Sequence, residues 1–227
     1  MLTLHALDGG YGQAAVVREA STEIGDGEIV ALLGRNGMGK TTLLRTIFGL
    51  AVRQGGEITL DGHPVPPNRP DLLARWGASL MPEDRGVFGS LTVEENLALA
   101  ARKSFTPAVD PREVFPLLTD RRRQLAGTLS GGQKQQLGIA RALLAGRRVV
   151  VVDELTQGLQ PSVVRDVVEA LGRVAATGVS VLVVDQHPDQ TLAWCHRVLV
   201  MASGRLVLDA PSAADTRRRC HELLMLR

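Results

Sequence analysis

Gly34-Arg35-Asn36-Gly37-Met38-Gly39-Lys40-Thr41 is the stretch that decides the fold. It reads Gly, four residues, Gly-Lys-Thr, between an apolar run at 28–33 and the helically spaced Leu43, Leu44, Ile47 and Phe48. An uninterrupted apolar run fits a strand buried on both faces. Glycines in the following turn let backbone N–H groups point at phosphate oxygens, and the helix N-terminus adds partial positive charge. In this pattern Lys40 reaches β- and γ-phosphates, and the Thr41 hydroxyl binds Mg²⁺.

Two further motifs support that reading. Residues 149–152 are four valines followed by Asp153-Glu154. An acid at a neighbouring strand end completes the Mg²⁺ shell, which assigns Asp153 to the metal. Glu154 beside it can orient and polarise an attacking water. Then Leu129-Ser130-Gly131-Gly132-Gln133 opens a helical pattern at Ser130, which can cap a helix whose first turn holds two glycines. That is a second phosphate-facing surface, 90 residues after Lys40. A chain with halves of two nucleotide sites implies two chains meeting head to tail.

Elsewhere the patterns predict strands at 2–7, 57–60, 78–81 and 179–184, a hairpin at 198–209, and a short helix at the end. Gly55-Gly56 reads as a turn, 64–70 as a proline-rich loop, and 71–75 as the start of a helix. Thr92 with Glu95 three residues on is a capping-box pattern. The stretch 90–145 reads as mostly helical, Arg121–Arg123 as a solvated helix face, and 162–176 as a helix joining two parallel strands.

Composition narrows the class. A formal charge of +2 lacks the basic excess of a protein that neutralises nucleic-acid phosphates. With 44% hydrophobic and 22% charged residues the chain is an ordinary folded domain, and 3% aromatics leave the core to aliphatic side chains. Cys195 and Cys220 read as packing thiols of a reducing compartment. No apolar run approaches the ~20 residues of a spanning helix, and the start is not a secretory signal. The expectation is a cytoplasmic protein that meets a membrane through a partner. His5, His63, His196 and His221 have no ligand-like company and read as surface or packing residues.

The order phosphate loop, Leu-Ser-Gly-Gly-Gln, Asp-Glu strand resembles the ATP-binding subunit of ABC transporters over essentially the whole chain. The resemblance implies an α/β fold of the P-loop NTPase, ABC-type ATPase kind. In it 1–83 and 146–227 form the nucleotide-binding core with an antiparallel β subdomain, and 84–145 form an inserted helical subdomain carrying the signature. It also implies ATP and Mg²⁺ as cofactors and hydrolysis coupled to transport. Nucleotide contacts then come from Tyr11 on the adenine and from Gly34, Arg35, Asn36, Gly37, Met38, Gly39, Lys40, Thr41 and Thr42. Ser130, Gly131, Gly132 and Gln133 complete the site of a second subunit. Thr41, Glu83 and Asp153 are the implied metal contacts, and Glu154 the catalytic carboxylate.

The implied partners are a second ABC ATPase, as a sister heterodimer or a second copy, and transmembrane permease subunits, with no nucleic acid. The implied place is the inner face of the cell membrane. Gly10-Tyr11-Gly12, Pro82–Phe88, Ser90–Leu97 and Arg121–Thr128 are similar to the shorter ATPase of branched-chain amino acid importers. Arg35-Asn36 and Gly158-Leu159-Gln160-Pro161 lean towards the related urea and short-chain amide importers. A soluble assembly ATPase of the same type is the alternative from another class. The chain departs from the family at Glu83 (usually Gln), Leu155 (usually Pro), Gln160 (usually Asp) and at the switch histidine. That position falls on Gln186, with His187 one residue later, and both are candidates.

Overall fold

The computed structural model describes residues 1–102, 105–107, 109–156, 158–186 and 188–225. In chain order it holds β1 (Leu2–Tyr11), β2 (Ala14–Ile24), β3 (Ile29–Leu33), α1 (Lys40–Ile47), β4 (Val52–Leu60), β5 (His63–Pro64), α2 (Pro70–Trp76) and β6 (Ala78–Met81). There follow α3 (Val93–Ala100), α4 (Pro111–Val114), α5 (Leu117–Asp120), α6 (Gly131–Ala145), β7 (Val149–Asp153) and α7 (Pro161–Ala175). The last elements are β8 (Ser180–Asp185), α8 (Pro188–Thr191), β9 (Arg197–Ala202), β10 (Arg205–Pro211) and α9 (Ala214–Met225).

The larger sheet runs β10-β9-β3-β8-β7-β6, parallel except for β10 at one edge. Every residue of β3, β7 and β8 is buried, because both faces are covered. Side chains alternate between two cores with the strand period of two. Leu33, Val150, Val152 and Val183 pack with Leu137 and Ile139 of α6 and Leu171 of α7. Val93 and Leu97 of α3, with Phe115 and Leu118 beyond it, join this same core from the helical segment. Leu32, Val149, Val151 and Val184 pack with Leu43 of α1 and with Leu4 and Ile58 of a second, antiparallel sheet, β2-β1-β4-β5.

Register places the site. Leu33 pairs with Asp185 and Asp153 with Val184, so β3, β8 and β7 end level with one another. Residues 34–41, Glu154 and Gln186 therefore emerge along one rim, at the carboxyl ends of parallel strands where α/β sheets bind ligands.

Two expectations are corrected. Gly55-Gly56 is not a turn but lies inside β4, where the register against β1 shifts between His5 and Asp8. Gly56 has φ 76, and a Cβ there would come within 2.3 Å of Ala6 O, so the pair forms a bulge that only glycine accommodates. The stretch 90–145 is mostly helical among the described residues, as expected, in α3, α4, α5, α6 and one 3₁₀ turn, Ala126–Thr128. Pro107, Pro111 and Pro116 cannot donate to a helical ladder and break the run into short pieces. Arg121–Arg123 is an exposed turn, not a helix face.

Candidate functional site

Gly39 is the N-cap of α1 and offers no side-chain cap, which leaves the amides of the first turn open to a ligand. Lys40 is buried, and its ammonium donates to Gly34 O at 2.6 Å and Arg35 O at 3.0 Å. Burial pulls its pKa down, against the upward pull of Asp153, Glu154, Asp185 and Glu83. Thr41 Oγ1 donates to Asp153 Oδ2 at 3.3 Å, which joins the loop to the end of β7.

A cavity of about 270 Å³ opens here, lined by Val16, Asn36, Gly37, Gly39, Lys40, Thr41, Thr42, Glu83, Asp153 and Glu154. Gly34 and Arg35 line a neighbouring cavity with Gln186. Met38 faces away, its carbonyl accepting from Gly204 N at 3.0 Å. Asp153 is 2% exposed, and its carboxyl is pushed up to about 6 by burial first and then by the Glu154 and Glu83 carboxylates. The Thr41 hydrogen bond and Lys40 oppose that shift.

Glu154 follows the strand in left-handed backbone, φ 54, an uncommon conformation for a residue with a Cβ. Its N–H donates to Val184 O at 2.9 Å. Its Oε1 accepts from Gln186 Nε2 at 2.8 Å, while Oε2 is buried and has no partner among the described residues. Asp185 ties this corner together: Thr156 Oγ1 donates to Oδ2 at 2.9 Å and Gln186 N to Oδ1 at 2.6 Å. A larger cavity, about 900 Å³, shares Asn36 and Glu154 with the first and continues past Gln186 to Leu159 and Trp194. His187 lies outside the described residues.

Two groups of expected site residues stand apart from the phosphate cavity. Tyr11 is exposed at the end of β1, where its hydroxyl accepts from Arg45 Nη1 of α1 at 3.1 Å. Ser130 caps α6 in a reciprocal box: Gln133 N donates to Ser130 Oγ at 3.4 Å, and Ser130 N to Gln133 Oε1 at 3.0 Å. None of Ser130, Gly131, Gly132 or Gln133 lines the phosphate cavity of its own chain. Sequence reasoning assigned no role to Val16, Thr156, Asp185, Gln135 or Arg85. Only Asp185 carried a signal, an acid ending an aliphatic strand as Asp153 does.

The residues fit a divalent cation of one kind. Among the described residues no three His, Cys, Asp or Glu side chains are arranged as a protein-only metal cage. A hydroxyl beside a buried carboxylate, in a cavity open towards the loop amides, suits Mg²⁺, which takes one or two carboxylates and fills its shell with phosphate oxygens and water.

The family described as ABC transporter matches residues 17–157. The high-affinity branched-chain amino acid transport ATP-binding protein BraG of Pseudomonas aeruginosa is 36% identical over 221 residues, covering 94% of each chain. The probable branched-chain amino acid transport ATP-binding protein LivF of Archaeoglobus fulgidus is 32% identical over 215 residues, covering 92% of this chain and 91% of its own. Other relatives, at 32% and 33% identity, are named for lipopolysaccharide export in Haemophilus influenzae and glutamate/aspartate import in Escherichia coli. Among solved structures, the ATP-binding subunit of an ABC transporter superposes with a TM-score of 0.83 at 27% identity, covering 100% of this chain and 95% of that one.

Proposed function

The chain belongs to the ABC transporter family and is one of its ATP-binding, ATP-hydrolysing subunits; on that premise we propose that it powers the import of branched-chain amino acids. The observation that carries the cargo is the likeness to BraG along 94% of both chains. The chemistry rests on the rim where Thr41 meets Asp153 and Gln186 meets Glu154.

In the proposed cycle ATP lies with its phosphates over the first turn of α1, and its adenine against Tyr11, whose hydroxyl is steadied by Arg45. Lys40 exchanges the carbonyls of Gly34 and Arg35 for the β- and γ-phosphate oxygens, an exchange its buried charge favours. Thr41, Asp153 and Glu83 are the residues that would hold Mg²⁺, which when bound neutralises charge on the β- and γ-phosphates. Glu154 lines the phosphate cavity and is the carboxylate that takes up the attacking water's proton, while Gln186 holds Oε1 and so fixes the plane of the carboxylate.

Ser130–Gln133 stand away from this chain's own phosphate cavity, which supports a dimer in which each signature helix closes the partner's site. The dimer works on the cytoplasmic face, docked to permease subunits. A cleft of about 560 Å³ between β6, α3 and α6, lined by Pro82, Arg85, Leu99, Arg102 and Arg141, supports the permease contact.

The test is purification of the tagged chain from detergent-solubilised membranes of its source, followed by reconstitution. We expect a second ATPase and two permeases, and ATP turnover stimulated by leucine, isoleucine or valine with the cognate binding component. Stimulation by urea or short amides alone would overturn the cargo. Recovery of soluble partners only would overturn the importer.

A further inference from the structure

Gln135 sits in the second turn of α6, and its side chain is almost wholly buried. Both ends of its carboxamide are committed. Oε1 accepts from Arg85 Nε at 3.1 Å, and Nε2 donates to Glu154 O at 2.7 Å and Leu155 O at 3.4 Å. The shortest of these bonds falls on the carbonyl of a residue in left-handed backbone. Such a conformation persists only where its surroundings overdetermine it. For Glu154 the determinants are Val184 O on the amide, Gln135 on the carbonyl, and the fully buried Leu155 that follows.

Arg85 belongs to the segment that leaves Glu83, and that segment lies along α6. Its own backbone is left-handed, φ 69, with its N–H on Pro82 O at 2.7 Å. Its carbonyl rests against Gly138, where a Cβ would come within 2.7 Å of Arg85 O. A larger residue at 138 would lift the segment away, and movement of the segment along α6 pulls directly on the Gln135 carboxamide.

We propose that Gln135 is a positioning residue, joining the segment 82–86 to the backbone of Glu154 so that displacement of that segment changes the aim of the hydrolytic carboxylate. The proposal rests on Glu154 being that carboxylate. It requires no contact between Gln135 and nucleotide. Arg85 acts only through Gln135, and Pro82, Arg85 and Gly86 border the cleft assigned to the permease.

The test is a comparison of Gln135→Met, Arg85→Ala, the double variant and Glu154→Gln in the purified protein, each with ATP affinity, KM, kcat and Tm. Methionine keeps the shape and removes all three hydrogen bonds. With misplacement of ~1 Å able to cost ~10²-fold in rate, we expect kcat of Gln135→Met to fall about tenfold or more while ATP affinity and KM hold. Arg85→Ala should lose less, and the double variant should be no slower than Gln135→Met, because the two act in series. Gln135→Glu, which still accepts from Arg85 but no longer donates to Glu154, should not recover kcat. Full kcat in a folded Gln135→Met, or losses that multiply in the double variant, would overturn the proposal. If Gln135→Met fails to fold, the split between kcat and KM in Arg85→Ala decides. Lost turnover in Glu154→Gln beside full turnover in Gln135→Met would overturn the positioning role alone. Retained turnover in Glu154→Gln would overturn both.

Discussion

On the phosphate side of the site, Lys40 bonds to carbonyls five and six residues back in its own loop, and the helix that aims the amides begins in that loop. On the hydrolytic side, one residue past Asp153, Glu154 is held by Val184 and Gln186 at the end of β8 and by Gln135 of α6. The first region is made by a contiguous piece of chain folding on itself. The second exists only when three separate elements are in register. Binding of nucleotide should therefore survive small shifts between elements, whereas hydrolysis should not. A transporter subunit that must hold ATP before it cleaves it needs that separation.

The largest effect expected on nucleotide binding is on the local side. Lys40→Ala removes charge-assisted bonds worth ~1.5–3 kcal/mol, so ATP affinity should fall about 10- to 100-fold in a binding titration. Unchanged affinity would break the comparison at its simpler half.

Asp153 tests the junction of the two sides. Its carboxyl stands at about 6, above the ordinary 3.8, so the folded chain binds this proton more tightly than the unfolded one. The ionised form then destabilises the nucleotide-free fold by about 2–3 kcal/mol at neutral pH. That penalty fades as pH falls through about 6 towards the unfolded value. Asp153→Asn should raise the Tm of the nucleotide-free protein at pH 7, flatten its pH dependence between about 7 and 5, and abolish Mg²⁺-dependent hydrolysis. A lowered Tm at pH 7 would show that the ionised carboxylate stabilises the fold instead.

A smaller effect separates the two switch candidates. Gln186→Ala should lower kcat about tenfold with ATP affinity intact, because only the aim of Glu154 is lost. An amide does not titrate, so Gln186→His should introduce an inflection near pH ~6.5 into the rate profile. An inflection already present in the wild type, kept in Gln186→Ala and lost in His187→Ala, would assign the switch to His187.

What was legible in the sequence follows the same division. The phosphate loop, the Asp153-Glu154 strand end and the caps at Thr92 and Ser130 depend on residues within a few positions of one another, and each forms as its spacing predicts. Gln186 was reachable by counting from an aliphatic strand. The bulge at Gly55-Gly56 was misread because two adjacent glycines signal a turn equally well until the partner strand is known. The stretch 90–145 is mostly helical as its pattern predicts, and three prolines account for its division into short pieces. Gln135 and Arg85 were invisible in their roles: Gln135 meets Glu154 across 19 positions and Arg85 across 50, through hydrogen bonds that no local pattern encodes. Val16 reaches the phosphate cavity from a strand of the antiparallel sheet and had no signal at all.

The most direct measurement of the central claim is single-turnover hydrolysis by Glu154→Gln beside its ATP affinity. Loss of a positioned general base lowers the rate ~10²–10⁴-fold, and that loss with unchanged ATP binding is the result expected. More than half of the wild-type rate, or a parallel loss of affinity, would contradict a site in which binding is local and hydrolysis is assembled.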